Sequence, residues 1–328
     1  MPERCEAGLG ARRDSRSNRP MSTHPTVLAD VGGTNTRLTT EDRVELFRND
    51  DLTHLEDALE DFVRRCSVRP GTLLVSAAGP EEFGTDKRPG QAERLVLTNR
   101  GWVIDRERLK LAGFSDVRLY NDGYAAAQGV LRCATEAPGS LRPLAGAGFT
   151  IHERIAVIAL GTGIAHSAVL PGGEVIAGEG GHMPAALSEG VLADFRARSS
   201  LATHPSYERV LSGTGLKHLI EVYPSDRLRG PADVVPAARD GDPQAQRILD
   251  VFHETLARLL STAVSVYRAT GGVCLIGDFL REWGDALDPA RLEGIYLEDV
   301  PLALRGAPVV FLDHDHVPLE GLRRLSGR

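Results

Sequence analysis

Apolar positions in this chain gather in short unbroken runs, separated by segments of helical spacing, the pattern of buried strands alternating with helices. Val27-Leu28-Ala29-Asp30 is one such run; it meets Gly32-Gly33 at a turn, and Thr36-Arg37-Leu38-Thr39-Thr40 resumes as a strand, predicting a β-hairpin. Arg43 to Phe47 adds a third strand. Leu52, Leu55, Leu59, Phe62 and Val63 share one helical face, and Leu73-Leu74-Val75-Ser76-Ala77 reads as a buried strand that stops at Gly79-Pro80. Two later strands end in polar loops. Val117-Arg118-Leu119-Tyr120 leads into Asn121-Asp122 and a helix through Ala125 to Leu131, while Ile155 to Leu160 leads into Gly161-Thr162-Gly163.

The middle of the chain is helix-rich. Leu216 to Tyr223 and the stretch from Pro243 to Thr270 have helical spacing, and Val234 to Arg239 forms a short helix with Pro236 in its first turn. Val273-Cys274-Leu275-Ile276 and Val309-Val310-Phe311-Leu312 are further short buried strands, followed by a terminal helix near Leu319 to Leu325. Residues 80–93 and 133–153 read as loops, and no internal repeat is evident.

A chain of 328 residues exceeds what one core usually organises, so two domains with a ligand cleft between them are expected. The net charge of -7 argues against a nucleic-acid-binding face and points to small-molecule partners. No apolar run reaches the ~18 residues needed to cross a bilayer, so no membrane association is expected. Cys5, Cys66, Cys133 and Cys274 are widely spaced and form no CxxC pair, which suits a reducing cytoplasm. Residues 1–21 carry several arginines but no apolar signal core and read as a disordered extension, with Met21 an alternative start.

Asp30-Val31-Gly32-Gly33-Thr34-Asn35-Thr36-Arg37 sets a carboxylate at a strand end beside glycines whose amides can approach phosphate oxygens. The same residues also fit a plain hairpin turn. Asp122 fits a helix N-cap as well as a general base. His182, between Gly180-Gly181 and Met183, fits a turn or core histidine as well as a ligand contact.

The octet resembles the first phosphate motif of the sugar kinase, Hsp70 and actin superfamily. Thr98-Asn99-Arg100-Gly101-Trp102, Leu119-Tyr120-Asn121-Asp122, Gly178-Glu179-Gly180-Gly181-His182 and Glu208-Arg209-Val210-Leu211-Ser212-Gly213 narrow the resemblance to the bacterial hexokinase-like glucokinases. That resemblance implies an α/β, two-domain, actin-like ATPase (ribonuclease H-like) architecture with an interdomain cleft. It implies a smaller domain of residues 22–118 plus 308–328 and a larger one of 119–307. It further implies ATP-dependent phosphorylation of D-glucose to glucose 6-phosphate, the opening step of glycolysis, with Asp122 as base. Asn99, Asn121, Glu179, His182 and Glu208 are then the sugar contacts. Asp30, Gly32, Gly33, Thr34, Thr162, Gly163 and Gly277 are the nucleotide contacts, with Mg²⁺ positioned by Asp30. A cytoplasmic homodimer is implied too.

Three departures mark the nucleotide side. Ala165 stands where the second phosphate motif usually has glycine, and its Cβ is expected to crowd the hairpin. Asp278 replaces a glycine of the adenosine motif and is expected to repel ATP phosphates, and Val317-Pro318-Leu319-Glu320-Gly321-Leu322 differs from the usual Pro-Gly-Leu-Leu-Gly run. Two other readings follow: a kinase for another hexose, and a non-catalytic glucose-binding regulator. There is no Gly-x-x-x-x-Gly-Lys-Ser/Thr, which excludes a P-loop kinase, and His314-Asp315-His316 lacks the further ligands a metal site needs.

Overall fold

A computed structural model describes residues 25–40, 43–66, 71–97, 100–199 and 204–327. The expected N-terminal extension and the candidate sugar contact Asn99 lie outside the described residues. The chain begins with β1 (Val27–Val31), β2 (Asn35–Thr39), β3 (Val44–Arg48), α1 (Leu55–Cys66) and β4 (Thr72–Ala77). Next come β5 (Glu81–Glu82), β6 (Arg94–Val96), β7 (Val103–Asp105), α2 (Arg106–Leu111), β8 (Asp116–Asn121) and α3 (Asp122–Glu136). Strands β9 (Leu141–Ala145), β10 (Ile155–Leu160), β11 (Ile164–Val169) and β12 (Val175–Gly178) precede the helices α4 (Glu189–Arg198), α5 (Glu208–Leu211), α6 (Gly213–Val222), α7 (Val234–Arg239) and α8 (Pro243–Tyr267). The chain closes with β13 (Gly272–Ile276), α9 (Asp278–Trp283), α10 (Pro289–Asp299), β14 (Val309–Leu312) and α11 (Val317–Leu325).

These strands build two principal sheets of one topology. The first runs β3-β2-β1-β4-β8 and the second β12-β11-β10-β13-β14-β9, beside a small sheet β5-β6-β7. In each principal sheet a three-stranded antiparallel meander continues into parallel strands, β1–β4–β8 in one and β10–β13–β14 in the other. The sequence shows no repeat because the shared feature is strand order, which constrains hydrophobic pattern and not residue identity. Ligands of such sheets bind beyond the carboxyl ends of the parallel strands. The turn Gly32–Thr34, the Asn121-Asp122 junction, the turn Gly161–Gly163 and Gly277 all follow such ends.

Continuous apolar runs arise where a strand is covered on both faces. Every residue of β1, β13 and β14 is buried. One face of β1, through Val27, Ala29 and Val31, joins Leu55, Leu59 and Phe62 of α1. On the other face Leu28 meets Leu74, Ala125 of α3, and Leu319 and Leu322 of α11. Helix α3 in turn packs Ala126, Val130 and Leu131 against Val157 and Cys274 of the second sheet, so the pair α3–α11 joins the two sheets.

Two expectations change. Val309–Leu312, assigned above to the smaller domain, pairs in parallel with β13 inside the second sheet, because a fully buried strand needs cover on both faces and neighbours on both edges. The expected loop 133–153 contains the end of α3 and β9. Strand β9 escapes notice because it carries Pro143, tolerated since β9 is an edge strand.

Candidate active site

The turn Gly32–Thr34, the first candidate phosphate site, is braced from two directions. Gly32 donates its amide to the Asn35 carbonyl at 2.9 Å, and the buried Asn49 donates its side-chain amide to the Gly32 carbonyl at 2.8 Å. Asn49 also accepts from Thr36 Oγ1 at 2.7 Å and donates its backbone N–H to the Thr34 carbonyl at 2.9 Å. Arg100 adds a bond from Nε to the Gly33 carbonyl at 3.1 Å, another from Nη1 to the Asn49 carbonyl at 3.0 Å, and an ion pair with Asp50. Reading by motif missed Asn49, an asparagine in an otherwise ordinary Arg-Asn-Asp-Asp stretch. Arg100 carried a signal, since it sits inside the Thr98–Trp102 motif.

Asp30 is the penultimate residue of β1, its carboxylate 3.6 Å from Arg37. Burial raises its pKa to about 6; Arg37 opposes that rise, and the nearby charges of Asp122 and Asp278 reinforce it. Asp122 lies where β8 becomes α3. The N-cap is its neighbour: Asn121 Oδ1 accepts from the amides of Gly123 at 2.9 Å and Tyr124 at 3.4 Å. Because Asn121 does the capping, Asp122 needs only one short-range bond, from the Gly123 amide at 2.8 Å. Its pKa is raised by burial, lowered by that amide, and raised again by Glu179 and Glu208. Asn121 donates its side-chain amide to the Gly79 carbonyl at 3.1 Å, leaving one amide hydrogen for a ligand.

Glu179 and His182 flank the turn Gly180–His182, exposed, with carboxylate and imidazole 3.8 Å apart. Beneath them lies His166, buried, ring against Tyr267, with neither ring nitrogen hydrogen-bonded and its pKa lowered by burial to about 4. A Cβ at Gly180 would fall 1.7 Å from His166 Nδ1. Gly180→Ala is therefore expected to lift the turn and raise the KM for sugar at least tenfold, with the KM for nucleotide little changed; steady-state kinetics in each substrate checks this.

Glu208 links this region to the turn Gly161–Gly163, the second candidate phosphate site. Its Oε2 accepts the Ile164 amide at 2.9 Å, and a Cβ at Gly163 would come within 2.6 Å of that oxygen. Gly213 donates to the Gly161 carbonyl at 2.9 Å, so the α5–α6 junction holds the turn that carries Thr162. Ala165 does not crowd this turn. It pairs with Ala159 in the β10–β11 ladder, and its Cβ looks toward Gly123, where the missing side chain leaves room. Gly277 packs on the end of β10, a Cβ there lying 2.5 Å from the Leu160 carbonyl oxygen. Among the described residues no cluster of three or more metal-ligating side chains occurs, and no helix is long and apolar enough to cross a membrane.

The two sheets of common topology, with glycine turns and an aspartate at their carboxyl ends, define the actin-like ATPase fold. Solved structures of similar fold include glucokinase from Balamuthia mandrillaris in complex with glucose, with a TM-score of 0.75 at 19% identity, covering 93% of this chain and 94% of that one. A ROK family glucokinase from Streptomyces griseus in complex with glucose and AMPPNP gives a TM-score of 0.61 at 20% identity, covering 92% and 98%. The glucokinase family model matches residues 27–322, and the chain belongs to that family. A glucokinase from Cupriavidus metallidurans is 28% identical over 331 residues, covering 94% of each chain.

Proposed function

We propose that this chain transfers the γ-phosphoryl group of ATP to the 6-hydroxyl of D-glucose, with Asp122 taking the hydroxyl proton as the oxygen attacks phosphorus. By family it is an ATP-dependent hexose kinase. The observation that carries the reading is the position of Asp122. It starts α3 at the carboxyl end of the parallel strand β8, its carboxylate on the Gly123 amide at 2.8 Å and near enough to Glu179, Glu208 and Asp30 for their charges to act on one another. A base for this reaction has to reach both the sugar and the phosphorus.

Glu179, His182, Glu208, Asn121 and Asn99 supply donors and acceptors for the sugar hydroxyls, and Gly32, Gly33, Thr34, Thr162, Gly163 and Gly277 are the nucleotide contacts, Gly32 by close backbone approach since its amide is taken by the Asn35 carbonyl. Asp30 fits a magnesium role, being a hard oxygen donor beside glycine amides, in a site with too few carboxylates to hold the ion without substrate phosphates. Mg²⁺ would there offset the charge of the β- and γ-phosphates. We take residues 22–118 with α11 as the smaller domain and residues 119–316 as the larger, closing over glucose to exclude water. The protein is assigned to glycolysis, to the cytoplasm where ATP is available, and to a homodimer.

The test is glucose 6-phosphate formation with ATP and Mg²⁺, followed across pH and against a hexose panel. Asp30 and Asp122 must be ionised, and burial raises the pKa of both above the usual carboxylate value. Since kcat/KM reports free-enzyme groups, the value for ATP is expected to fall as pH drops through about 6, where Asp30 titrates. A profile flat to pH ~4, where unperturbed carboxylates titrate, contradicts the assignment. Turnover confined to another hexose moves the substrate, and glucose binding without turnover makes the chain a regulator.

A further inference from the structure

Asp278 starts α9 beyond the end of β13, and two arginines hold its carboxylate. Arg37 Nη2, reaching from β2 of the first sheet, lies 3.8 Å from its Oδ2 while Arg37 Nη1 faces Asp30 at 3.6 Å. Behind it, Arg281 Nη2 lies 3.1 Å from Oδ1. Arg281 is itself fixed by Asp313 at 3.4 Å, by an ion pair with Asp315 and by a bond to the His314 carbonyl at 3.4 Å. The polar segment after β14 thus serves to anchor this arginine. The result is a row of alternating charges, Asp30, Arg37, Asp278, Arg281 and Asp315, running from one sheet to the other across the strand ends.

We propose that Asp278 sets the affinity for the phosphoryl donor: its tethered carboxylate fills the anion position between Arg37 and Arg281 for which nucleotide phosphates compete. The inference rests on reading these strand ends as the ATP site. Gly277, the preceding residue, packs on Leu160 at the foot of the Gly161–Gly163 turn, so an incoming phosphate chain meets Asp278 directly. The carboxylate is 67% exposed, so its pairs are weak and yield to a polyanion, at a cost in affinity and not in access. Nothing in this row touches Glu179, His182 or Glu208, so the sugar side is unaffected.

The experiment is calorimetric titration of Mg²⁺-AMPPNP into the full chain and into Asp278→Asn and Asp278→Gly, at low and high KCl, with glucose titrated in parallel. Both variants are expected to bind the nucleotide roughly tenfold more tightly at low salt, the gain shrinking as salt screens the charge, with glucose affinity unchanged. Asn keeps the shape of the side chain, so a defect peculiar to Gly is recognised as structural. Affinity equal to or weaker than that of the intact chain in both variants overturns the inference, as does a gain indifferent to salt. Failure of the intact chain to form glucose 6-phosphate counts against the kinase reading alone, because the binding comparison stands apart from turnover.

Discussion

Asp122→Asn is expected to lower kcat about 10²–10⁴-fold, the range a positioned general base supplies. The substitution preserves shape and the local bonds. Asn121 still caps α3, and an amide oxygen at position 122 still accepts the Gly123 N–H that the carboxylate takes at 2.8 Å. What disappears is the ability to receive a proton from the sugar. Stability is expected to hold or rise, because burial and two neighbouring glutamates make the native state a poor host for the ionised carboxylate at neutral pH. Glucose affinity, measured by calorimetry, should stay within a few-fold of the parent. A variant that keeps more than about a tenth of the parent kcat removes Asp122 from the role of base. One that loses glucose binding and thermal stability together shows instead that the residue is structural.

Much of the candidate site was legible as position, because the residues proposed for it lie in short local motifs. Asp30 to Arg37, Asn121-Asp122 and Glu179 to His182 each read directly, since a strand end, a glycine turn and a polar residue sit within a few positions. What supports those motifs was not legible. Asn49 holds the first phosphate turn from 17 residues beyond Gly32, and no local pattern distinguishes it from a solvent-facing asparagine. Asp122 reads as a helix cap in sequence, and only the backbone shows that its neighbour Asn121 takes that place. Ala165 looked like a crowding error because its contact, Gly123, lies 42 positions away in the chain. Asp278 looked like a bare charge for the same reason, its partners Arg37 and Asp315 belonging to segments that meet only when the sheets are assembled. The doubling of the fold stayed hidden too, because strand order leaves residue identity free.

Gly321→Ala is expected to lower both stability and turnover, although alanine ordinarily stabilises a helix interior by about 0.5–1 kcal/mol over glycine. The opposing term is the crossing of α11 with α3. A Cβ at Gly321 would lie 1.8 Å from the Ala125 carbonyl oxygen and 2.9 Å from the Gly129 amide nitrogen, and a Cβ at Gly129 would lie 2.0 Å from the Val317 carbonyl oxygen. These are backbone atoms on both sides, so no side chain can turn away, and the helices must part by about 1.5 Å to restore ordinary contact. Overpacking of this kind costs about 1–3 kcal/mol, and at this site the upper half of that range outweighs the gain in propensity. Differential scanning calorimetry should show the loss as a Tm lowered by several degrees. The catalytic consequence follows from what α3 carries: Asp122 is its first residue, and α11 also packs on β1, which carries Asp30 and leads into the turn Gly32–Thr34. Displacing one helix against the other moves the base relative to the phosphate site, and a misplacement of about 1 Å can cost up to ~10²-fold in rate. Gly306→Ala, with open space around its Cβ, is the control expected to leave both quantities unchanged. If Gly321→Ala matches that control, the crossing is more compliant than its backbone contacts imply, and the alignment of base and phosphate must be held by the loops that bind the ligands.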